Sequence, residues 1–99
     1  MDLNFFKQTR ILDGGMGQEL LARGMKPNGT LWSANAILDE NYHQLLQDTH
    51  RDFVKAGAEV IVTTTFTTRR RRLRENNIED KFEYLNIKAG EIACNVKKE

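Results

Sequence analysis

The sequence predicts an α/β fold built on a strand–helix–strand unit whose two strands run parallel. Three stretches predict this unit: a short apolar run ending in Asp13 and three glycines, an amphipathic helix over about residues 39–56, and a β-branched run over residues 59–66. Apolar residues at helical spacing indicate a helix, and a β-branched run without alternation is typical of a strand buried on both faces. A helix joining two such strands implies a right-handed crossover.

The composition excludes several classes of protein. The 99 residues carry 15 Lys and Arg against 14 Asp and Glu, so no overall charge indicates nucleic acid or an anionic membrane as a partner. The single cysteine, Cys94, excludes an internal disulfide and agrees with a reducing compartment. No apolar run approaches the roughly 18 residues of a membrane span, and the first residues do not resemble a secretory signal. We therefore expect a small cytoplasmic protein without a membrane partner.

The first predicted strand, residues 10–13, leads into a turn rich in glycine. Gly14, Gly15 and Gly17 lack a Cβ atom, so they tolerate positive φ, allow a sharp turn and let a ligand approach bare amides. Asp13 would either point at that ligand or hydrogen-bond only the local backbone. The glycine spacing matches neither a dinucleotide-binding fingerprint nor a P-loop.

Short helices and loops flank this turn in the prediction. The first residues should form a brief helix whose apolar side chains pack beneath the sheet: Leu3, Phe5 and Phe6. A helix starting at Gly17 should end at Gly24, which suits a left-handed cap. Residues 31–38 are apolar without a clear period, and we interpret them as a loop with a helical turn over the site. Trp32 is more typical of a packing anchor than of a ligand platform.

The long central helix should begin at a cap, Asp39 or Asn41, and end before Gly57. His43 and His50 lie seven residues apart on one side of this helix. A metal-binding pair would prefer a closer spacing and a third ligand nearby, so the pattern favours solvated or hydrogen-bonded histidines. We predict no metal site here.

The second predicted strand, residues 59–66, ends in a run of threonines, Thr63 to Thr65. The carboxyl ends of parallel strands meet at the edge where ligands bind, so Asp13 and these threonines would form one pocket floor. β-propensity alone also explains such a run. Hydroxyl groups exposed at the rim favour the functional interpretation.

Five arginines crowd the six residues from Arg69 to Arg74 and raise the hypothesis of nucleic-acid binding. No aromatic residue interleaves them, so a solvated helical face with Leu73 turned inward is favoured, and one or two arginines would be available to an anion. Thr67 or Thr68 should cap this helix. A last amphipathic helix should start at residues 79–80, with Cys94 beside its apolar stripe and without a partner for metal or redox chemistry.

Three separate blocks of the sequence resemble the N-terminal part of the homocysteine S-methyltransferase family. They run from Ile11 to Leu20, from Leu31 to Ala34 and from His50 to Phe66, in the family's order and spacing. The resemblance implies a (β/α)₈ TIM barrel of about 250 residues or more. Residues 1–99 would then be an N-terminal fragment of a homocysteine-binding barrel domain, with its first two parallel strands and their helices.

The resemblance also implies a substrate site. Asp13, Gly14 and Thr65 match the family positions that hold the amino-acid part of homocysteine, and Trp32 matches an aromatic residue near the pocket. A carboxylate suits an ammonium group, while a backbone amide and a hydroxyl suit a carboxylate. The donor pocket is less defined, because Gln18 stands where threonine is common and residue 67 is smaller than is usual.

The implied reaction transfers a methyl group to the thiol of homocysteine, giving methionine, from a donor that is a sulfonium, a betaine or a methylated folate. In the family a zinc ion held by cysteines binds the thiol as a thiolate. No residue of this chain matches those cysteines, and Cys94 lies in another context. We therefore assign no catalytic residue and no metal ligand, and we expect residues 1–99 alone to transfer no methyl group.

Two alternatives remain open. The first is a noncatalytic module that binds anions or nucleic acid through Arg69 to Arg74. The second is an inert barrel remnant that associates with itself, because two strands would leave an unpaired edge and uncovered apolar surface. A truncated gene, a partial reading frame or an excised piece would each produce such a chain.

Overall fold

The computed structural model describes residues 2–99; Met1, which belongs to the predicted domain of residues 1–99, lies outside them. Within the described residues the α-helices are α1 (Met16–Ala22), α2 (Asn35–Leu38), α3 (His43–Lys55), α4 (Arg70–Glu75) and α5 (Phe82–Lys97). Shorter 3₁₀ helices span Leu3–Lys7, Trp32–Ala34, Glu40–Tyr42 and Glu79–Lys81.

The predicted α/β fold, a partial (β/α)₈ barrel with two parallel strands, is wrong. Helices make up 61% of the structure, and residues 2–99 contain no β-strand. The two stretches predicted as strands meet in one parallel bridge, between Leu12 and Val60. In this bridge the Asp13 amide donates to the Val60 carbonyl at 3.1 Å, and the Val60 amide donates to the Ile11 carbonyl at 3.2 Å.

The pairing stops after one bridge because, within residues 2–99, no third strand extends it and no helix packs on its face. A two-stranded pair is marginal in water without a third strand or a helix against its face. Ile11, Leu12 and Val62 are 58%, 58% and 56% exposed, so the pair has no such cover within the described residues. β-branched residues favour strands mainly where they pack on a half-buried pleated surface. Without that surface, the chain bends, and the Thr65 amide donates to the Thr63 carbonyl at 2.8 Å.

The predicted helices are confirmed in position. Gly24 and Gly57 follow α1 and α3 with φ of +103° and +120°, the left-handed conformation expected of glycine at a helix end. The 3₁₀ turn before α3 is capped by Asp39, whose carboxylate accepts a hydrogen bond from the Asn41 amide at 3.0 Å. The start of α4 differs from the prediction, because its N-cap residue is Arg69 and no side chain caps it.

The core lies where α3 packs between α1 and α5, with α2 closing one end. Each helix contributes at least one side chain that is fully buried: Leu20, Ile37, Leu46, Leu73 and Leu85. Residues 31–38 are more helical than predicted, since they form a 3₁₀ turn followed by α2.

The N-terminal 3₁₀ helix lies outside this core. Leu3 is 85% exposed and Phe6 is 55% exposed, so the predicted packing of these two side chains beneath a sheet is wrong. The sheet that would have covered them is absent from the described residues. None of the helices in residues 2–99 has the length and hydropathy needed to cross a lipid bilayer.

Candidate functional site

An open cleft of about 380 Å³ lies where the chain leaves the bridge and enters α1. This volume suits a small organic ligand. Four parts of the chain line it: the glycine-rich turn and first residues of α1, the 3₁₀ turn at Trp32, the bends after the bridge, and Arg72 on α4. The lining residues are Asp13 to Gln18, Trp32, Ser33, Val62 to Thr64, Phe66, Thr67 and Arg72.

Asp13 is half-buried in this cleft, and one of its carboxylate oxygens is already engaged. Oδ2 accepts a hydrogen bond from the Val62 amide at 3.0 Å. Oδ1 has no hydrogen-bond partner among residues 2–99, so it can accept a bond from a ligand. The Asp13 carboxylate therefore bonds a backbone amide 49 residues away, and not the local backbone, and it also faces the cleft.

The glycines of the turn line the cleft without using their conformational freedom, since none of Gly14, Gly15 and Gly17 has a positive φ. Their contribution is a missing side chain. A Cβ atom on Gly14 would lie 3.2 Å from Cε1 of Phe53, whereas one on Gly15 would meet nothing within 4 Å. Gly14 therefore lets the cleft floor lie directly against α3.

Trp32 stands on the cleft wall with 52% of its surface exposed, which does not fit the predicted packing anchor. Its φ is +52°, a left-handed conformation that bulky residues rarely adopt. A Cβ atom on Gly17 would lie 3.8 Å from Cε3 of Trp32, so the ring covers the start of α1. Strained backbone of this kind clusters at functional sites.

The threonines that follow the bridge differ in whether they line the cleft. Thr63, Thr64 and Thr67 line the cleft, but Thr65 does not. The Thr65 hydroxyl lies 3.2 Å from that of Thr63, and the Thr65 carbonyl accepts from the Thr68 hydroxyl at 3.1 Å. The cleft thus brings together three of the four predicted site residues, namely Asp13, Gly14 and Trp32. A role for Thr65 in substrate binding stays a prediction.

His50 lies fully buried behind the threonines. Its Nε2 is 3.4 Å from the Thr64 hydroxyl, and its Nδ1 has no hydrogen-bond partner within residues 2–99. Burial lowers the pKa of His50, and the negative charge of Asp13 opposes this only in part. The imidazole is therefore neutral at pH 7. His43 makes a separate contact, with Nε2 2.7 Å from the Ile37 carbonyl, so the two histidines do not form a pair.

Arg72 is a cleft residue that the sequence did not single out. Its Nη1 donates to the Thr30 carbonyl at 2.9 Å. Thr30 lies 42 residues earlier in the chain, and no local pattern distinguishes Arg72 from its neighbours in the arginine run. Asn76, the residue that follows α4, lies four residues after Arg72, but this spacing alone does not single out Arg72.

Comparison with known proteins identifies related sequences. The family model for homocysteine S-methyltransferase matches residues 10–99. Homocysteine S-methyltransferase 2 of Saccharomyces cerevisiae is 33% identical over 90 residues, covering 82% of this chain and 28% of the relative. Selenocysteine Se-methyltransferase of Brassica oleracea var. italica is 35% identical over 89 residues, covering 88% and 25%. Homocysteine S-methyltransferase 3 of Zea mays is 39% identical over 56 residues, covering 57% and 16%.

The chain therefore spans 28% or less of the length of these relatives. No solved structure gives a significant match to it. The family assignment therefore rests on sequence matches and not on a structural match.

Proposed function

Because this chain belongs to the homocysteine S-methyltransferase family, as its three sequence blocks predicted, we propose that its cleft binds the acceptor of a methyl-transfer reaction. The proposed acceptor is homocysteine, which receives the methyl group on its thiol from a second substrate, the methyl donor, and becomes methionine. One observation supports the proposal most directly. Asp13 lies within residues 10–99, which match the family, and it faces the cleft with one carboxylate oxygen that has no partner in the described residues.

The cleft offers complementary groups for the amino-acid part of the acceptor. An ammonium group is only a donor, and Asp13 Oδ1 is a charged acceptor without a partner in the described residues, so the two suit each other. For the carboxylate the resemblance implies Gly14 and Thr65, of which Gly14 lines the cleft. Trp32 supplies an exposed apolar surface for the rest of the ligand. Residues 1–99 would thus act as a homocysteine-binding unit.

The residues present do not fit the zinc ion that the family implies. Among residues 2–99 no three His, Cys, Asp or Glu side chains lie close enough together to hold a metal. Cys94, on α5, is exposed and does not line the cleft. We therefore derive no step through zinc and limit the proposal to acceptor binding. A reduced thiol as substrate agrees with the proposed cytoplasmic location.

Titration calorimetry with homocysteine tests the proposal. Asp13→Asn removes the negative charge but keeps an oxygen that can accept from the Val62 amide, so the local fold should persist. We expect the variant to bind homocysteine about tenfold more weakly or worse, because a charge-assisted hydrogen bond is lost. Asp52→Asn, on α3 outside the cleft, is the matched control and should bind like the wild type. Equal affinities for Asp13→Asn and wild type would remove Asp13 from the site.

The relative named for selenocysteine provides a second candidate acceptor, whose side chain is one methylene shorter than that of homocysteine. The same titration with selenocysteine, kept reduced, compares the two acceptors. Tighter binding of selenocysteine would reassign the substrate while leaving the site in place.

A further inference from the structure

Two arginines of the run from Arg69 to Arg74 stack on aromatic rings of the same chain. The guanidinium carbon of Arg69 lies 5.0 Å from the centre of the Phe66 ring, and that of Arg70 lies 4.2 Å from the centre of the Phe82 ring. Both distances are within cation–π range. These two cations are therefore held against side chains of the chain itself.

Two further arginines of the run pair with glutamates. Arg71 forms an ion pair with Glu75 at 3.4 Å, and Arg74 forms one with Glu79. Arg72 has no carboxylate within ion-pair distance among residues 2–99. It is also the arginine of this run that lines the cleft.

The Arg72 side chain is held in place through Thr30. Its Nη1 donates to the Thr30 carbonyl at 2.9 Å. Asn76 joins the same two residues, because its Nδ2 donates to the Thr30 hydroxyl at 3.0 Å and to the Arg72 carbonyl at 2.9 Å. Nε and Nη2 of Arg72 have no hydrogen-bond partner in the described part of the chain. The guanidinium therefore has a fixed anchor and free donors.

Asp13 and Arg72 are the charged residues among those that line the cleft. One is an anion with an unpaired oxygen, and the other is a cation with unpaired N–H groups. The remaining lining is glycine, hydroxyl-bearing, amide or apolar, and it includes two exposed aromatic side chains, Trp32 and Phe66. Opposite charges around a small open volume suit a ligand that itself carries both charges.

We propose that Arg72 binds the carboxylate of an α-amino acid whose ammonium group is held by Asp13. This inference rests on the proposed function, and it adds Arg72 to Gly14 and Thr65 as a residue that recognises the acid end of the acceptor. A guanidinium matches a carboxylate with two parallel N–H bonds, a geometry that lysine cannot reproduce. The carboxylate belongs to the acceptor, homocysteine; glycine betaine, which carries a carboxylate but no N–H group for Asp13, is the alternative that the test separates.

Titration of the full chain with two ligands tests this assignment. Homocysteine carries the carboxylate, and 3-aminopropane-1-thiol is the same molecule without it. Arg72→Gln should weaken homocysteine binding about tenfold or more and leave binding of 3-aminopropane-1-thiol unchanged. Arg72→Lys should recover only part of the loss. Arg71→Gln, one residue away but outside the cleft, should bind both ligands like the wild type.

A spectroscopic measurement separates direct contact from a structural effect. The Nε–H resonance of Arg72 in ¹⁵N-arginine-labelled protein should shift with homocysteine and stay in place with 3-aminopropane-1-thiol. Equal losses for the two ligands in Arg72→Gln, or no loss for either, would overturn the assignment of Arg72 while leaving the proposed function intact.

Glycine betaine distinguishes the two sources of the carboxylate. If the wild type binds glycine betaine but not homocysteine, and Arg72→Gln weakens that binding, Arg72 still recognises a carboxylate but the proposed acceptor fails. If the wild type binds none of these ligands, the proposed function and the inference fail together.

Discussion

Trp32 combines an unfavourable backbone conformation with an exposed ring on the cleft wall. Left-handed backbone costs a non-glycine residue about 1–2 kcal/mol, and glycine is exempt because it has no Cβ. With φ of +52°, Trp32 should therefore be strained. This conformation was not predictable from the sequence, since nothing local to a tryptophan indicates a positive φ.

The strain at Trp32 can be measured by comparing two truncations. Trp32→Ala and Trp32→Gly lose the same ring, but only alanine keeps the backbone penalty. We expect the glycine variant to have the larger free energy of unfolding, by about 1 kcal/mol, which reverses the usual order of alanine and glycine at helical positions. Urea unfolding of both variants gives the difference. An alanine variant as stable as the glycine variant would show that the backbone is relaxed.

His50 should make the stability of the protein depend on pH. Burial lowers its pKa in the folded protein, whereas the unfolded chain titrates near the ordinary value of about 6.5. Below that value the unfolded state binds a proton that the folded state does not, so the free energy of unfolding falls as the pH drops. We expect a loss of up to about 1.4 kcal/mol between pH 7.5 and 5.5, measured by urea unfolding.

Substitution of His50 provides the control for this pH dependence. His50→Gln should lose the change between pH 7.5 and 5.5, even if it is less stable throughout. The carboxylates whose pKa is lowered by neighbouring hydrogen-bond donors, Asp48, Glu59 and Glu99, titrate below this interval. An unchanged slope in His50→Gln would assign the effect to another group.

At the scale of elements, the loop before Trp32 is joined to the end of α4 by hydrogen bonds of Thr30 and by the close approach of Gly29 to Asn76. Gly29 has φ of +55°, and a Cβ atom there would lie 2.5 Å from Oδ1 of Asn76. Asn76 holds Thr30 against the end of α4, so any group that displaces the Asn76 side chain loosens the anchor of Arg72. Position 29 therefore needs glycine because the Asn76 side chain, distant in sequence, leaves no room for a Cβ atom.

Gly29→Ala should lower the free energy of unfolding by about 1–3 kcal/mol, from the positive φ and the displaced side chain together. A double-mutant cycle separates the two causes. In an Asn76→Ala background the clash is gone, so Gly29→Ala should cost about 1 kcal/mol less than in the wild type. Additive losses in urea unfolding would mean that the two residues are not coupled.

Local signals predicted the helices well and the strands badly. Gly24 and Gly57 end helices because of their own conformational freedom, and apolar spacing marks the buried face of α3 without reference to the rest of the chain. A strand depends on partners, and the run from residue 59 to 66 finds only one bridge to residue 12. Thr68 is similar: its hydroxyl was expected to cap α4 but donates to Oδ1 of Asn86 at 2.7 Å, 18 residues away.

The candidate site shows the same division, because only the residues in a local pattern were predicted from the sequence. Asp13 and Gly14 were found because an acid and a glycine after an apolar run form a local pattern. Arg72 was not, because its place in the cleft depends on Thr30 and on how four neighbouring arginines are occupied. Thr65 was preferred to Thr63 and Thr64 because the family resemblance implies it, and in the bent segment Thr63 and Thr64 line the cleft instead.

At the scale of the whole molecule, charge argues against nucleic-acid binding. The net charge is +1, and four of the five arginines in the run are paired or stacked within the chain. Non-specific binding to a polyanion requires several cations free to replace counterions. We expect no change in the fluorescence anisotropy of a labelled single-stranded RNA, even at low salt. Binding that weakens steeply as salt is added would restore the nucleic-acid alternative.

The hydrogen bond from the Val62 amide to Asp13 has a consequence for detecting ligands. A ligand ammonium that binds Asp13 must share the carboxylate with this amide. Occupancy of the cleft should therefore change the rate at which the Val62 amide exchanges its hydrogen for deuterium. A single backbone proton, outside the ligand and needing no label, would then report both whether the cleft is filled and whether the bridge behind it is closed.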